Sequence, residues 1–181
     1  KQTLSAWTRE ALANDTKMEW VAVCSDQDVS INDDPSCQTY DLGISVTTDA
    51  EAVASFLSKS SETLKVVIAT YQSSSVISAA ANLVNYEFDL GIFDEAHKTV
   101  GGRDKPFAKM LWEENIAINF RLFMTATERI IRPWIRNRAE QANQPVFSMD
   151  DESVYGPVFD RYTFGEAIGD GVISDYKLII T

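Results

Sequence analysis

Hydrophobic residues are distributed along the chain in two alternating patterns. Short, nearly continuous apolar runs are followed by polar or small residues, as is typical of buried strands that open into loops. These runs predict four strands, over 20–24, 65–70, 88–93 and 120–124. A further run predicts a last strand over 176–181.

Longer stretches between these runs carry apolar residues at helical spacing. They predict helices over 1–13, from about 49 to 60, over 73–84 and over 106–114, with a short helix over 164–170. In the second of these, Thr48 and Glu51 have the spacing of a capping box, and Val53, Phe56 and Leu57 form the predicted buried face.

Strands and helices therefore alternate along most of the chain. Such alternation predicts parallel strands joined by right-handed helical crossovers, and hence a doubly wound α/β sheet. In sheets of this type, functional side chains collect at the carboxyl ends of the strands. The loop that contains Pro35 and Gly43 is polar and is predicted to be irregular.

Composition narrows the class of protein. The chain has 181 residues, of which 45% are apolar, and this is enough to bury the core of about one domain. No stretch approaches the roughly 20 apolar residues needed to cross a bilayer, and the first residues lack the apolar core of a signal peptide. We therefore expect a soluble, cytoplasmic protein without a membrane partner. The single histidine, His97, argues against a histidine-rich metal site and favours oxygen ligands for any metal.

The charge limits how the chain can meet nucleic acid. A net charge of -11 argues against a broad basic face that grips phosphates, so most of any such grip should lie elsewhere. One local basic cluster surrounds Trp134 and consists of Arg129, Arg132, Arg136 and Arg138. A solvated helix face with its charges offset by nearby acids is favoured over a nucleic-acid contact for this cluster.

The sharpest motif is Asp94-Glu95-Ala96-His97, called the acidic turn below, which directly follows a predicted strand. In phosphoryl transfer to water, one carboxylate is needed to hold Mg²⁺ and another to orient or deprotonate the attacking water. Asp94 suits the first role and Glu95 the second. His97 can hydrogen-bond toward the phosphate region or a neighbouring domain. The simpler interpretation is a solvated turn at a strand end.

Two further polar motifs follow predicted strands. Thr125-Ala126-Thr127 comes after the strand that follows the acidic turn, where its hydroxyls could bond the carboxylates and report nucleotide state. By itself it also fits an ordinary transition from strand to loop.

The second motif, Thr70-Tyr71-Gln72-Ser73, lies between a strand and a helix, where it could contact a nucleic-acid backbone without reading its sequence. A serine or threonine helix cap is compatible with that role.

The order of these three motifs resembles motifs Ib, II and III of superfamily 2 helicases of the DEAD/DEAH type. The resemblance implies the first of two RecA-like domains. Within the superfamily, three segments resemble the motors of type III and single-polypeptide type I restriction enzymes. These segments are 46–49, 94–101, and 164–168 followed by 171–177.

The resemblance implies an ATP-dependent DNA helicase or translocase with ATP and Mg²⁺ as cofactors. It implies catalytic roles for Asp94, Glu95 and His97, with Asp94 as the metal ligand. It also implies coupling by residues 125–127 and contact of residues 70–73 with nucleic acid. Residues 1–150 would be the larger part of the first RecA-like domain, and 151–181 its end and exit. The implied partners are DNA, a second RecA-like domain in cis, and nuclease or methyltransferase modules.

The sequence departs from the family at one important point. It contains no G-x-x-x-x-G-K-[ST], so the phosphate loop is expected before residue 1 and the fragment alone is expected to be inactive. A non-catalytic motor module that serves in interactions is the alternative. A metal-dependent hydrolase that acts without nucleotide would need further carboxylate ligands at neighbouring strand ends, and the sequence offers no convincing ones. A nuclease site at Asp160, Asp175 and Lys177 is disfavoured, because its spacing is loose.

Overall fold

The computed structural model describes residues 2–24, 46–103 and 105–175 as an α/β structure. Its α-helices are α1 (Gln2–Ala13), α2 (Ala50–Ser58), α3 (Ser74–Val84), α4 (Pro133–Gln141), α5 (Glu152–Tyr155) and α6 (Phe164–Gly169). Its strands are β1 (Met18–Val23), β2 (Val46–Thr47), β3 (Leu64–Ala69), β4 (Phe88–Phe93), β5 (Gly101–Gly102), β6 (Ile118–Phe123) and β7 (Val146–Phe147). Short 3-10 helices span Tyr71–Ser73, Ala96–Thr99 and Pro106–Leu111. The predicted loop around Pro35 and Gly43 and the predicted strand 176–181 lie outside the described residues.

The strands pair in parallel, as the alternating pattern predicts. Strand β1 lies between β2 and β3, and β4 pairs with β6 in a register that sets Phe93 opposite Phe123. Over the described ranges, these pairings form two parallel groups rather than the one continuous sheet expected from the sequence. The antiparallel pair of β5 with β7 was not predicted, because two-residue strands carry no periodicity.

The start of α2 corrects the predicted capping box. Asp49, not Thr48, is the N-cap, and its side chain accepts a hydrogen bond of 2.9 Å from the backbone N–H of Glu51. Aspartate and threonine are both good caps, so the pattern alone leaves the first residue ambiguous by one position. Of the predicted buried face, Val53 and Leu57 are buried and Phe56 is partly buried.

The segment predicted as a helix over 106–114 is shorter and more tightly wound. It is a 3-10 helix that ends at Leu111, and its first turn is closed by a 2.9 Å bond from the Ala108 N–H to the Lys105 carbonyl. Beyond its end, the Asn115 side chain donates to the Lys109 carbonyl at 3.0 Å. An apolar pattern over so few residues does not distinguish 3-10 from α winding.

One hydrophobic core packs against β4, the strand that ends at the acidic turn. Helices α2 and α3 pack against each other and against the strands, and the core joins Val23 of β1, Leu57 of α2, Ile77 of α3 and Phe93 of β4. A second, smaller cluster lies beside it and contains Val100, Ala108, Leu111 and Tyr155. Phe93 and Ala96 belong to the first cluster, and Val100 belongs to the second. Residues in and beside the acidic turn therefore pack into both clusters.

Helix α4 carries Trp134 together with Arg136 and Arg138 of the basic cluster and has no buried residue, whereas Arg129 and Arg132 precede the helix. Arg136 pairs with Asp150 at 2.7 Å, as the interpretation of a solvated face with offset charges predicts. Hydrogen bonds from Ser148 and Arg136 lower the pKa of the Asp150 carboxyl. In the part of the chain that the structure describes, no helix has the length and apolar character needed to span a membrane.

Candidate active site

The acidic turn has an unusual backbone at Glu95. This residue adopts the left-handed conformation, with φ 53° and ψ 41°, which costs a side chain other than glycine about 1 kcal/mol or more. Hydrogen bonds hold the turn on both sides. The Glu95 N–H donates to Asp94 Oδ1 at 2.9 Å, the Lys98 N–H donates to the Glu95 carbonyl at 2.9 Å, and the Ala96 N–H donates to the Met124 carbonyl at 2.9 Å. The two carboxylates are exposed at the carboxyl end of β4, where a substrate can reach them.

His97 connects the acidic turn to the third motif. Its Nδ1 atom lies 3.0 Å from Thr125 Oγ1 and 3.2 Å from Glu95 Oε2. Thr125 Oγ1 donates its own hydrogen to the Thr127 carbonyl at 3.0 Å, so it accepts from the ring. Since the carboxylate is also an acceptor, the proton of the neutral ring belongs on Nδ1. Ala126 and Thr127 are exposed beside this contact.

Tyr71 connects the acidic turn to the first motif. Its hydroxyl donates a 2.7 Å hydrogen bond to the backbone carbonyl of Asp94. Its ring packs at a tilt against Phe107, with the ring centroids 5.5 Å apart. Burial, followed by the charge of Asp94, raises the pKa of Tyr71 well above its ordinary range, so the hydroxyl remains a donor.

The other residues of the first motif are placed differently. Thr70 and Gln72 are exposed, whereas Ser73 is buried and its Oγ lies 3.1 Å from Thr70 Oγ1. The structure thus brings the three predicted motifs to one edge. Within the first motif, it leaves Thr70 and Gln72 as the side chains that an external partner can touch.

A buried pair of hydroxyl groups, from Thr99 and Tyr155, supports the backbone of the acidic turn. The sequence did not predict this pair. Thr99 is fully buried, and its Oγ1 donates to the Ala96 carbonyl at 2.7 Å and lies 2.9 Å from the Tyr155 hydroxyl. The Tyr155 ring meets Phe123 edge-on, with centroids 5.1 Å apart. Thr99 and Tyr155 lie 56 residues apart in the chain, so no local sequence pattern predicts their contact.

The donor set of the acidic turn fits a magnesium ion only as part of a larger complex. Over the described residues, no group of three or more histidine, cysteine, aspartate or glutamate side chains is arranged to hold a metal. Mg²⁺ commonly takes one or two protein carboxylates and completes its coordination with phosphate and water oxygens. The exposed carboxylate of Asp94 matches that pattern, and its Oδ1 is already oriented by the Glu95 N–H.

Two shallow depressions lie away from this edge. They have volumes of about 430 and 520 Å³ and lie between α1 and the start of β1, with Ala11, Thr16 and Met18 in the walls of both. This is the amino end of the strand, opposite to the end that carries polar motifs. Since none of the three motifs lines either depression, the acidic turn is the stronger candidate for chemistry.

Comparison with known proteins shows that the chain is similar to viral proteins named as probable helicases. The chain is 35% identical over 136 residues to a probable helicase, A859L, of African swine fever virus, an alignment that covers 75% of this chain and 13% of the viral protein. The same protein of another isolate is 36% identical over 113 residues. The chain thus spans about an eighth of the length of the first of these relatives.

Two solved structures share the fold. One is a nuclease-deletion mutant of the Type ISP restriction-modification enzyme LlaGI in complex with a DNA substrate mimic. It matches with a TM-score of 0.66 and 33% identity, over 97% of this chain and 13% of that chain. The other is the ATP-dependent Type ISP enzyme LlaBIII bound to DNA, with a TM-score of 0.63 and 32% identity, over 88% of this chain and 11% of that chain.

The family model described as "Type III restriction enzyme, res subunit" matches residues 3–130, a range that contains all three motifs. This match confirms the resemblance seen in the sequence. The chain belongs to the family of the type III restriction enzyme res subunit.

Proposed function

We propose that this chain forms most of the first motor domain of an ATP-driven DNA helicase or translocase of restriction or phage-defence type. The observation that carries the proposal is the meeting of three polar turns at the carboxyl ends of β3, β4 and β6. Two hydrogen bonds join these turns, one from Tyr71 to Asp94 and one between His97 and Thr125. A coupled motor needs such links, because hydrolysis must change the contacts made to the nucleic acid.

The roles of the acidic residues follow from their positions. Asp94 would hold Mg²⁺, which neutralises charge on the phosphate oxygens when it is bound with ATP. Glu95 would orient the attacking water and accept its proton, because its carboxylate is exposed next to Asp94 on a turn with a fixed backbone. The Nδ1 atom of His97 lies 3.2 Å from Oε2 of the Glu95 carboxylate, so the ring can help to orient that carboxylate.

The remaining motif residues would couple hydrolysis to movement. His97, Thr125 and Thr127 form a chain of hydrogen bonds that begins at Glu95, so a change at the carboxylate reaches the end of β6. Thr70 and Gln72 would face the tracked strand, since both are exposed beside the turn that contains Tyr71. The two similar restriction enzymes are described with DNA or a DNA mimic, which supports DNA as the partner.

The test is ATP hydrolysis by the full-length protein that contains this chain, with and without duplex DNA. We expect Glu95→Gln to lower DNA-stimulated turnover by about 100-fold or more while ATP binding persists, as removal of a general base does. The matched control is Glu87→Gln, which neutralises an exposed carboxylate just before β4, at the opposite end of that strand. Turnover that is equal in wild type and Glu95→Gln would assign the water to another residue.

The alternative function is a non-catalytic module that keeps the fold of a motor domain. The observation in its favour is that the 181 residues contain no G-x-x-x-x-G-K-[ST] sequence, so catalysis would require a phosphate loop outside these residues. The same assay separates the two functions. A full-length wild-type protein that neither binds nor hydrolyses ATP would favour the interaction module.

A further inference from the structure

We propose that Tyr71 is a positioning residue that holds the Asp94–Glu95 peptide in place and links the turn facing nucleic acid to the acidic turn. The proposal rests on the function proposed above and deepens it. It concerns a contact between residues 23 positions apart, from the Tyr71 hydroxyl to the Asp94 carbonyl at 2.7 Å.

The peptide between Asp94 and Glu95 is held by hydrogen bonds at both its carbonyl and its N–H. Its carbonyl accepts from Tyr71, and its N–H donates to Oδ1 of the Asp94 side chain at 2.9 Å. Because a peptide unit is planar, its oxygen and its N–H turn together. The hydroxyl of Tyr71 therefore sets the direction of the N–H that orients the Asp94 carboxylate.

The conformation of Glu95 depends on contacts on both sides of the residue. Its left-handed backbone is unfavourable for a side chain of this type and persists only where surrounding contacts determine it. One of those contacts is on its carboxyl side, from the Ala96 N–H to the Met124 carbonyl. Tyr71 supplies the contact on the amino side. Loss of this contact should allow the peptide to rotate toward less strained conformations and displace the Glu95 carboxylate.

Tyr71 also lies next to a residue that an external partner can touch. The residue lies in a single 3-10 turn with Gln72, which is exposed, and this turn leads directly into α3. The Tyr71 side chain extends from this turn to the Asp94 carbonyl, and its ring packs against Phe107. A shift of the exposed turn on binding a partner would therefore reach the Asp94 carbonyl through one hydrogen bond.

The decisive variant is Tyr71→Phe in the full-length protein, which keeps the ring against Phe107 and removes only the hydroxyl. We expect the maximal rate of DNA-stimulated ATP hydrolysis to fall about threefold to tenfold, the range for loss of one neutral hydrogen bond. The DNA concentration giving half-maximal stimulation should change less than twofold. Tyr86→Phe is the matched control, because Tyr86 precedes β4 at the end away from the acidic turn.

A second readout is independent of turnover. Hydrogen exchange of the backbone amides of residues 94–97 should be faster in Tyr71→Phe than in wild type, and unchanged in Tyr86→Phe. If the wild-type protein shows no DNA-stimulated hydrolysis, the proposed function fails and this exchange measurement alone decides the positioning role. Faster exchange supports the proposal in either case.

Two results would overturn the proposal. A weaker apparent affinity for DNA with an unchanged maximal rate would make Tyr71 a direct nucleic-acid contact. Unchanged exchange at residues 94–97 would show that the hydroxyl does not hold the turn, whatever the rate does.

Discussion

The Nδ1 atom of His97 lies 3.0 Å from the Oγ1 atom of Thr125, and this contact joins the ends of the adjacent parallel strands β4 and β6. The same ring nitrogen lies 3.2 Å from the Glu95 carboxylate. His97 therefore contacts the Glu95 carboxylate on one side and the loop after β6 on the other. The arrangement gives the third motif a physical route to the acidic turn.

The first prediction concerns this route. Thr125→Val removes the acceptor for His97 and the donor to the Thr127 carbonyl while keeping nearly the same volume. We expect DNA-stimulated turnover by the full-length protein to fall about threefold to tenfold, with ATP affinity within about twofold of wild type. Thr125→Ser keeps the hydroxyl and should retain most of the rate. Equal losses in both variants would point to lost packing of the methyl group instead of lost hydrogen bonds.

The second prediction concerns the buried support beneath the acidic turn. Thr99→Val leaves the Ala96 carbonyl and the Tyr155 hydroxyl without their buried partner and should destabilise the turn by about 1–3 kcal/mol. Hydrogen exchange of residues 94–100 in the full-length protein measures the change.

The control for this support is a double-mutant cycle with Tyr155→Phe. Adding Tyr155→Phe to Thr99→Val should cost less than Tyr155→Phe alone, because the hydroxyl is then already unpaired. Strictly additive costs would mean that the 2.9 Å contact between the two hydroxyls contributes nothing.

The third prediction concerns the start of α2, where sequence and structure disagree. Asp49→Ala should destabilise the helix by about 1 kcal/mol, so that its amides exchange about fivefold faster, because the side-chain cap on the Glu51 N–H is lost. Thr48→Ala, which removes the cap expected from the sequence, should change exchange much less. The opposite ranking of the two variants would restore the capping box at Thr48.

The sequence predicted four of the strands and the edge at which the three motifs meet, and it could do so for a physical reason. Nearly continuous apolar runs predict parallel strands such as β4, and a run that stops at Asp94-Glu95 shows where the strand ends. In β4 itself only Phe93 is buried, and Leu90 and Ile92 are exposed. Parallel topology then brings the ends of β4 and β6 together, so the proximity of His97 and Thr125 follows from pattern and connectivity. These features depend on local composition and one topological rule.

The features that sequence reasoning missed depend on side-chain direction over long separations. Tyr71 belongs to a motif assigned to nucleic acid, yet its hydroxyl is directed to the Asp94 carbonyl. Tyr155 reaches Thr99 from a four-residue helix that has too few positions to show a period. The cap at Asp49 differs from the expected one by a single residue, since neighbouring polar side chains compete for the same role. None of these contacts can be predicted from the spacing of residues in the sequence.

The last prediction separates contact with nucleic acid from contact with the acidic turn. Gln72 is exposed and uncharged, so Gln72→Ala should weaken DNA binding by a similar factor of about threefold to tenfold on unrelated sequences. The slope of log affinity against log salt should stay the same, because no phosphate-bound counterion is released by an amide. The maximal rate of ATP hydrolysis at saturating DNA should also stay near the wild-type value.

The control for Gln72 is Asn82→Ala, an exposed amide near the other end of α3, which should leave DNA affinity unchanged. A reduced maximal rate in Gln72→Ala at unchanged affinity would place Gln72 with Tyr71 in positioning the acidic turn. An equal effect of both variants would indicate a loss of helix stability. Only weakened binding specific to Gln72, with the salt slope preserved, matches an uncharged side chain that touches the sugar-phosphate backbone.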